Sequence, residues 1–256
     1  MAADLKHTEI FQRYFQTQFW GNRTGSSGPN SDPALTPVLR QNLENLLREY
    51  GIRSLLDAGC GDANLFKNMK VENLNYLGFD CVPELTALNQ SFFKHHPQMK
   101  FETRDIVKAA LPKVDLILCR DVVHYLPNKF IEEFLENCRR SGSKYLLITH
   151  NIHAPLSANT ETELGIFRPV NLTQNPFHWP SPLGTIAEDV FGKELGLFGL
   201  EIQPGQFIPD NERWLYTKDN LRGLDEAIAW SESHPRRNNF DEIAECIEKN
   251  AKSTSQ

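Results

Sequence analysis

The length, composition and charge of this chain exclude several classes of protein. Its 256 residues are enough for one ordinary domain with terminal additions, whose core needs no disulfide or metal. The net charge of −6 disfavours nucleic acid as a partner, because proteins that bind phosphates electrostatically usually carry a basic surface. The five cysteines are scattered without a Cys-x-x-Cys pair, so we expect reduced thiols, no metal and a cytoplasmic protein.

The N-terminal region predicts a short helix followed by a loop. The residues before Glu9 include acids and a histidine rather than a basic and then apolar run, so we expect no secretory signal. Apolar residues recur at helical spacing from Ile10 to Trp20, where they either pack on the domain or also cover a ligand cleft. The Gly-, Ser-, Asn- and Pro-rich stretch 21–33 predicts a loop.

Beyond the loop, a helix with Thr36 as N-cap and Gly51 at its end precedes alternating strand and helix patterns. This alternation predicts a parallel sheet flanked by helices. A late strand is expected from Lys193 to Ile202, and two weak helical patterns follow residue 209. No apolar run is long enough to span a bilayer. The earlier strands are predicted at Ser54–Ala58, Tyr76–Phe79, Lys100–Thr103, Asp115–Cys119 and Lys144–Thr149.

The most informative segment is an apolar strand that enters a glycine-rich turn. Gly59 and Gly61 allow a sharp turn and the close approach of a ligand, and a helix beginning near Asp62 would point free amides at it. This arrangement is a general nucleotide cradle, with an ordinary tight turn as the alternative. A nicotinamide-dependent oxidoreductase is disfavoured, because the dinucleotide fingerprint needs a third glycine where this chain has Asn64.

The segment Leu56-Asp-Ala-Gly-Cys-Gly61 resembles the first motif of class I S-adenosylmethionine-dependent methyltransferases. The resemblance continues through Gly78-Phe-Asp80, Arg104-Asp-Ile106 and the fourth strand, which begins at Asp115. It implies an α/β fold with a Rossmann-like, mostly parallel seven-stranded sheet, helices on both faces, and S-adenosyl-L-methionine as cofactor. The implied organisation is an N-terminal helix and lid loop in residues 1–34, a methyltransferase domain in residues 35–208 and a helical tail in residues 209–256.

The same resemblance implies which residues hold the cofactor. Asp80 takes the role of the acid that binds both ribose hydroxyls, since one carboxylate can accept from two donors. Asp105 takes the role of the acceptor from the adenine amino group, and Ile106 packs on the ring. For both acids, a surface carboxylate that ends a strand is the alternative. The predicted cofactor-binding residues are Trp20, Ser27, Gly28, Asp57, Gly59, Cys60, Gly61, Asp80, Cys81, Asp105, Ile106 and Arg120.

Residues after the fourth and fifth strands supply the predicted catalytic and acceptor-binding groups. Methyl transfer is an in-line displacement, so positioning comes before acid–base chemistry. A hydroxyl acceptor must also lose a proton, which the neutral imidazole of His124 can take, and Asp121 can orient that ring or bind the hydroxyl. Packing or capping is the alternative for His124. The predicted acceptor-binding residues are His150, Asn151, His153 and Arg168, with a solvated or salt-bridged arginine as the alternative for the last.

A narrower resemblance is to a bacterial subgroup associated with glycan biosynthesis. It rests on Trp20-Gly21 and Ser27-Gly28, and on Asn159, Gly165, Arg168, Pro176 and Phe177 in order. The chain departs from the subgroup at Val170-Asn171-Leu172, where the subgroup has Leu-Asp-Leu. The implied partner is a small-molecule or glycan acceptor that presents a hydroxyl. The alternatives are a small metabolite or peptide side chain as acceptor, and a non-catalytic regulatory or scaffold protein that binds S-adenosyl ligands.

Overall fold

The computed structural model describes residues 8–21, 25–33, 36–69, 73–151, 159–188, 193–200 and 214–215. Within these ranges no helix is long and apolar enough to cross a membrane. The helices are α1 (Thr8–Gln16), α2 (Pro37–Glu49), α3 (Pro83–Phe92) and α4 (Asn128–Arg140). The strands are β1 (Ser54–Ala58), β2 (Asn75–Asp80), β3 (Met99–Thr103), β4 (Leu116–Cys119), β5 (Tyr145–His150), β6 (Gly184–Ala187), β7 (Glu194–Gly199) and β8 (Trp214–Leu215).

All of these strands join one sheet in the order β3-β2-β1-β4-β5-β7-β6-β8. Strands β3, β2, β1, β4 and β5 are parallel, whereas β7 runs antiparallel to both β5 and β6. Strands β1 to β7 confirm the predicted Rossmann-like, mostly parallel seven-stranded sheet, and β8 adds a two-residue pairing to β6. The strand order reverses between β1 and β4, the position at which open α/β sheets bind their ligands.

The apolar side chains of the central strands alternate between two buried cores. Leu55 and Leu116 face a core that includes the buried side of α2, and Leu56 and Ile117 face the core that contains α4. Since both faces are covered, the central strands are apolar throughout, as strands of a parallel sheet usually are. Helices therefore lie on both faces of the sheet, as predicted.

The predicted strands agree with the structure to within one residue at most ends, but several details differ. Helix α1 ends at Gln16, so Phe19 and Trp20 lie in the turns that follow it. Thr36 makes no capping bond with its side chain, and its hydroxyl oxygen accepts from Nη1 of Arg40 at 2.9 Å instead. The late strand runs from Glu194 to Gly199 and so is shorter than expected.

Some predictions lie beyond the described ranges. Ile202, His153 and, apart from β8, the helical tail in residues 209–256 lie outside the described residues. The helix α3 and the strands β6 and β8 were not among the predicted elements.

Candidate active site

The glycine-rich turn after β1 lies where the strand order reverses. The backbone N–H groups of Gly59 and Cys60 both donate to the carbonyl oxygen of Phe79, at 2.8 and 2.9 Å, so the turn folds onto the end of β2. Gly59 has a φ of +87°, and a Cβ there would lie 2.4 Å from Cγ2 of Val122. Only glycine suits this conformation and this close approach. Through these contacts with Phe79 and Val122, the turn brings together the ends of β1 and β2 and the loop after β4.

The predicted helix near Asp62 is wrong. Residues 62–65 form turns, and only a single 3-10 turn follows, Phe66–Asn68. Ala63 has a φ of +51°, which is left-handed backbone and incompatible with a continuing α-helix. The carboxylate of Asp62 accepts from the N–H of Ser26 at 2.8 Å and of Asn64 at 3.3 Å. These local and long-range bonds stabilise turns in place of a helix.

The N-terminal loop lies directly on this turn. The N–H of Asp62 donates to Oγ of Ser27 at 2.8 Å, and the N–H of Ser27 donates to Asp62 Oδ2 at 3.3 Å. A Cβ on Gly61 would lie 2.1 Å from Ser27 Oγ. A Cβ on Gly28 would lie 3.2 Å from Cβ of Trp20, so the predicted trio of Trp20, Ser27 and Gly28 is gathered at the turn.

Helix α1 connects two segments at the same edge of the sheet. The side chain of Gln12 donates to Glu84 in the first turn of α3, and Tyr14 Oη donates to the carbonyl oxygen of Gly165 at 3.2 Å. The ring of Trp20 also meets the ring of Tyr125 edge-on at 5.6 Å. The N-terminal segment therefore extends from the end of β2 to the segment that follows β5.

Asp80 has the best-defined environment of the predicted cofactor ligands. Its Oδ2 accepts from the N–H of Gly61 and its Oδ1 from the N–H of Val82, each at 2.9 Å. Burial raises the pKa of this carboxyl, and the backbone N–H groups of Val82, Gly61 and Cys81 act against that effect. The side chain is therefore held in one orientation at the end of β2, beside the glycine-rich turn.

The other predicted cofactor residues surround this point. The N–H of Arg104 donates to the carbonyl oxygen of Asp80, which places the end of β3 beside it, and Asp105 Oδ1 accepts from the N–H of Val107 at 3.0 Å. Ile106 is buried in the core that contains α4. Burial raises the pKa of the Cys81 thiol, and the charges of Asp80 and Asp105 raise it further. Cys81 therefore lies between the two carboxylates.

Asp57 in β1 and Cys60 within the turn both have buried side chains. Tyr76 Oη donates to Asp57 Oδ2 at 2.8 Å, and burial raises the pKa of Asp57 to about 7. Burial also raises the pKa of the Cys60 thiol well above its usual value. The side-chain amide of Asn89 donates to the carbonyl oxygen of Gly61 at 2.7 Å and so supports the turn from α3.

A buried network of charged groups follows β4. The guanidinium of Arg120 pairs with Glu188 and donates to the carbonyl oxygen of Asn30 at 2.8 Å. Lys193 Nζ lies 3.0 Å from Asp121 Oδ1 and 3.2 Å from Glu188 Oε2. Burial alone would raise the pKa of Asp121, but Lys193 and Arg120 hold it well below its usual range. Asp121 is therefore a carboxylate, and Arg120 connects it to the N-terminal loop.

The His124 side chain is 1% exposed and lies beside this network. Its Nε2 is 2.9 Å from Asn151 Oδ1, which also accepts from the N–H of Val170 at 3.1 Å. Because an amide oxygen only accepts, Nε2 carries the ring proton and Nδ1 has the lone pair. Nδ1 lies 4.0 Å from Asp121 Oδ1. Burial lowers the pKa of His124 to about 4, so the ring is neutral at pH 7.

Of the four predicted acceptor-binding residues, the structure describes Asn151, His150 and Arg168, and each has different partners. Asn151 is bonded to His124, as described above. His150 is fully buried at the end of β5, where its Nδ1 accepts from the N–H of Leu172 at 3.2 Å. Arg168 is also buried and donates to the carbonyl oxygen of Leu126 and to Asn128 at the start of α4.

Several residues of the site were not predicted from the sequence. Their positions depend on contacts between segments that are far apart in the chain, and no local spacing indicates those contacts. Phe167 is one example, since its ring packs edge-on against both His124, at 5.1 Å, and Tyr125, at 5.7 Å. The residues without a sequence signal are Asp62, Asn89, Tyr125, Phe167, Glu188, Lys193 and Glu194. Within the described ranges, no three His, Cys, Asp or Glu side chains are grouped closely enough to hold a metal ion.

Comparisons with known proteins agree with this architecture. Residues 56–142, from β1 through α4, match a family model described as a methyltransferase domain. The structure of magnesium protoporphyrin IX methyltransferase from Synechocystis PCC 6803 with bound SAM is similar, with a TM-score of 0.53 and 15% identity over 77% of this chain and 97% of that chain. No curated protein sequence matches the chain.

A second similar structure is phosphoethanolamine N-methyltransferase 1 of Haemonchus contortus, with a TM-score of 0.49 and 19% identity. That alignment covers 64% of this chain and 36% of the other, so this chain spans about a third of its length. This protein has the Rossmann-like methyltransferase fold. The match to the methyltransferase-domain model covers residues 56–142.

The burial of His124 predicts a pH-dependent stability. Between its unfolded pKa of 6.5 and its native value of about 4, only the unfolded state binds the proton, so this contribution to stability is lost as the pH falls. The variant His124→Gln retains a donor to Asn151 without a titrating group. Denaturant unfolding should show that the unfolding free energy of the wild type falls by about 3 kcal/mol relative to this variant from pH 6.5 to 4. A difference that stays constant over this range would contradict the buried, neutral imidazole.

Proposed function

We propose that this protein is an S-adenosyl-L-methionine-dependent methyltransferase. The observation that carries the proposal is the fixed carboxylate of Asp80, which accepts from the N–H groups of Gly61 and Val82 at the switch point of the sheet. The methyltransferase-domain match over residues 56–142 supports the proposal because it includes this strand and turn. The similar Synechocystis structure contains bound SAM, which favours the same cofactor here.

The residues at the switch point fit such a cofactor. An ionised carboxylate has about four acceptor positions, and the backbone N–H groups of Gly61, Val82 and Cys81 occupy only part of them, which leaves acceptor capacity for a ribose hydroxyl. Asp105, at the end of the neighbouring strand, would accept from the adenine amino group, with Cys81 and Ile106 beside the ring. Gly59 and Gly61 let the backbone approach the ligand, Ser27 covers the turn at Gly61, and Gly28 lies against Trp20.

The chemistry of the proposed reaction depends mainly on positioning. When bound, S-adenosyl-L-methionine supplies an electrophilic methyl group on a sulfonium. Arg120 and Lys193 keep Asp121 ionised beside the site, and Arg120 also holds the N-terminal loop through Asn30. The neutral ring of His124 would take the proton from an acceptor hydroxyl at Nδ1, and the nearby carboxylate of Asp121 would stabilise the imidazolium that forms.

The acceptor that this site favours is a hydroxyl of a sugar or of a glycan precursor. The net charge of −6 is unfavourable for a polyanion. The rings of Trp20, Tyr125 and Phe167 pack next to one another at the edge of the sheet, where they offer apolar surfaces to the CH faces of a sugar ring. The narrower subgroup resemblance points to the same class. Free thiols at Cys60, Cys81, Cys119 and Cys138 support a cytoplasmic location.

Calorimetric titration with S-adenosylhomocysteine tests the proposed cofactor. The wild type should bind this product, and Asp80→Ala should weaken binding by about 1–3 kcal/mol, because a buried hydrogen-bonding group of the ligand loses its partner. The matched control is Glu102→Ala, which removes an exposed carboxylate from the adjacent strand β3 and should leave the affinity unchanged. Binding of NAD in place of S-adenosylhomocysteine would contradict the proposal, as would equal affinities of the wild type and Asp80→Ala.

The role of His124 is tested by turnover with labelled S-adenosyl-L-methionine and a panel of methyl glycosides. Because Gln retains the bond to Asn151 but cannot accept the proton, His124→Gln should lower kcat by about 10²- to 10⁴-fold. Its affinity for S-adenosylhomocysteine should stay within about twofold of the wild type, since His124 is not a proposed cofactor ligand. Unchanged turnover would remove His124 from the mechanism.

A further inference from the structure

His150 has a buried hydrogen-bond donor that no described residue satisfies. The residue is 0% exposed, and its Nδ1 accepts from the N–H of Leu172 at 3.2 Å. The proton of the neutral ring therefore lies on Nε2. Nε2 is buried, and no group within the described ranges forms a hydrogen bond with it. Leaving such a buried donor unsatisfied destabilises the folded state, which points to a hydrogen-bond partner supplied by a ligand or water.

Glu194 has a buried hydrogen-bond acceptor that complements the buried donor of His150. It is the first residue of β7, and the hydroxyl of Thr185 is the described hydrogen-bond partner of its carboxyl. Its Oε1 is buried, and none of the described residues hydrogen-bonds to it. Burial raises the pKa of this carboxyl to about 7.

The two residues face each other across the ladder. His150 pairs directly with Glu194 in the antiparallel register of β5 and β7. Opposite residues of such a ladder project to the same face of the sheet with Cβ atoms roughly 4.5–5.5 Å apart. Gly196, two residues further along β7, has no side chain, and the ring of Phe198 lies over it and meets the His150 ring edge-on at 5.8 Å. A buried donor and a buried acceptor, neither bonded to any described residue, therefore belong to directly opposite residues of this ladder.

The chemistry of the pair selects its ligand. A carboxylate or phosphate would be repelled by Glu194, and an ammonium has no lone pair to accept from Nε2–H of His150. A hydroxyl satisfies both groups, because its oxygen accepts from Nε2–H and its own hydrogen is donated to Oε1. Water has the same capacity and is the alternative occupant.

We propose that His150 and Glu194 together form a subsite for one hydroxyl group of the methyl acceptor. This proposal rests on the proposed function and assigns His150 and Glu194 to recognition of the acceptor. The pair lies at the carboxyl end of β5, the end at which parallel strands of such a sheet present their ligand sites. Lys193, which immediately precedes Glu194, reaches Asp121 and so connects the subsite to the charged network.

His150 is the chain neighbour of Asn151, the residue that bonds to His124. Asn151 bonds to His124 and accepts from the N–H of Val170. His150 accepts from the N–H of Leu172, so these two adjacent residues hold the short segment 170–172. An acceptor that reaches both sites needs at least two hydroxyls, one placed near His124 for methylation and one between His150 and Glu194 for orientation. Sugars and other polyols meet this requirement, and simple alcohols do not.

The test uses nuclear magnetic resonance of the imidazole groups in the full chain saturated with S-adenosylhomocysteine. The Nε2–H signal of His150 is assigned by its loss in His150→Asn, which retains an acceptor for the N–H of Leu172. The probes are the methyl α- and β-glycosides of glucose, galactose and mannose, with the hydroxyl-free ring tetrahydropyran as the control. At least one glycoside should shift this signal saturably, and tetrahydropyran should leave it unchanged.

Substitutions of Glu194 separate recognition from structural support. Glu194→Met should weaken binding of the active glycoside by about tenfold or more, and Glu194→Gln should restore part of the affinity, because its carbonyl can still accept. Neither variant should change the affinity for S-adenosylhomocysteine, and Glu102→Met should behave as the wild type. If S-adenosylhomocysteine itself does not bind the wild type, the proposed function fails independently of this subsite.

Two results would overturn the subsite. In the first, none of the glycosides shifts the His150 signal, or tetrahydropyran shifts it equally. In the second, the signal shows contact with a long-lived water that no glycoside displaces. His150 and Glu194 would then bind a buried water and no part of the acceptor.

Discussion

The hydrogen bond from the N–H of Gly61 to the carboxylate of Asp80 joins the two strands on which the proposed cofactor site depends. It fixes the glycine-rich turn after β1 to the end of β2, beside the paired bonds from Gly59 and Cys60 to Phe79. The turn in turn provides the surface on which Ser27 and the rest of the N-terminal loop lie. This bond therefore holds the carboxylate of Asp80 in a fixed position relative to the turn and the loop.

A second constraint is electrostatic and acts on the proposed acceptor side. Arg120, Lys193, Glu188 and Asp121 bring two positive and two negative groups together from the ends of β4 and β6 and the start of β7. Ion pairs of this kind are costly to desolvate, and each partner keeps the others from being buried alone. The same network contacts the N-terminal loop at Asn30, so the arrangement of charges beside His124 depends on three distant parts of the chain.

The apolar runs and the glycine-rich turn were sufficient to predict the central strands, because burial between two helical layers requires continuous apolar sequence. The predicted helix after Gly61 failed, since Asp62 bonds to Ser26 and Ser27, which are distant in sequence. Strand β6 was missed because it follows a proline-rich segment without a periodic pattern. Glu188, Lys193 and Glu194 gain their roles only through long-range pairing, which no local motif encodes.

A crystal structure of the protein with S-adenosylhomocysteine tests the central claim most directly. Our account predicts that both ribose hydroxyls lie within hydrogen-bonding distance of Asp80, that the adenine lies beside Asp105 and Ile106, and that the sulfur faces the loop of Asp121 and His124. A nucleoside bound away from Asp80 and the glycine-rich turn would contradict the account and would require a different function for this edge of the sheet.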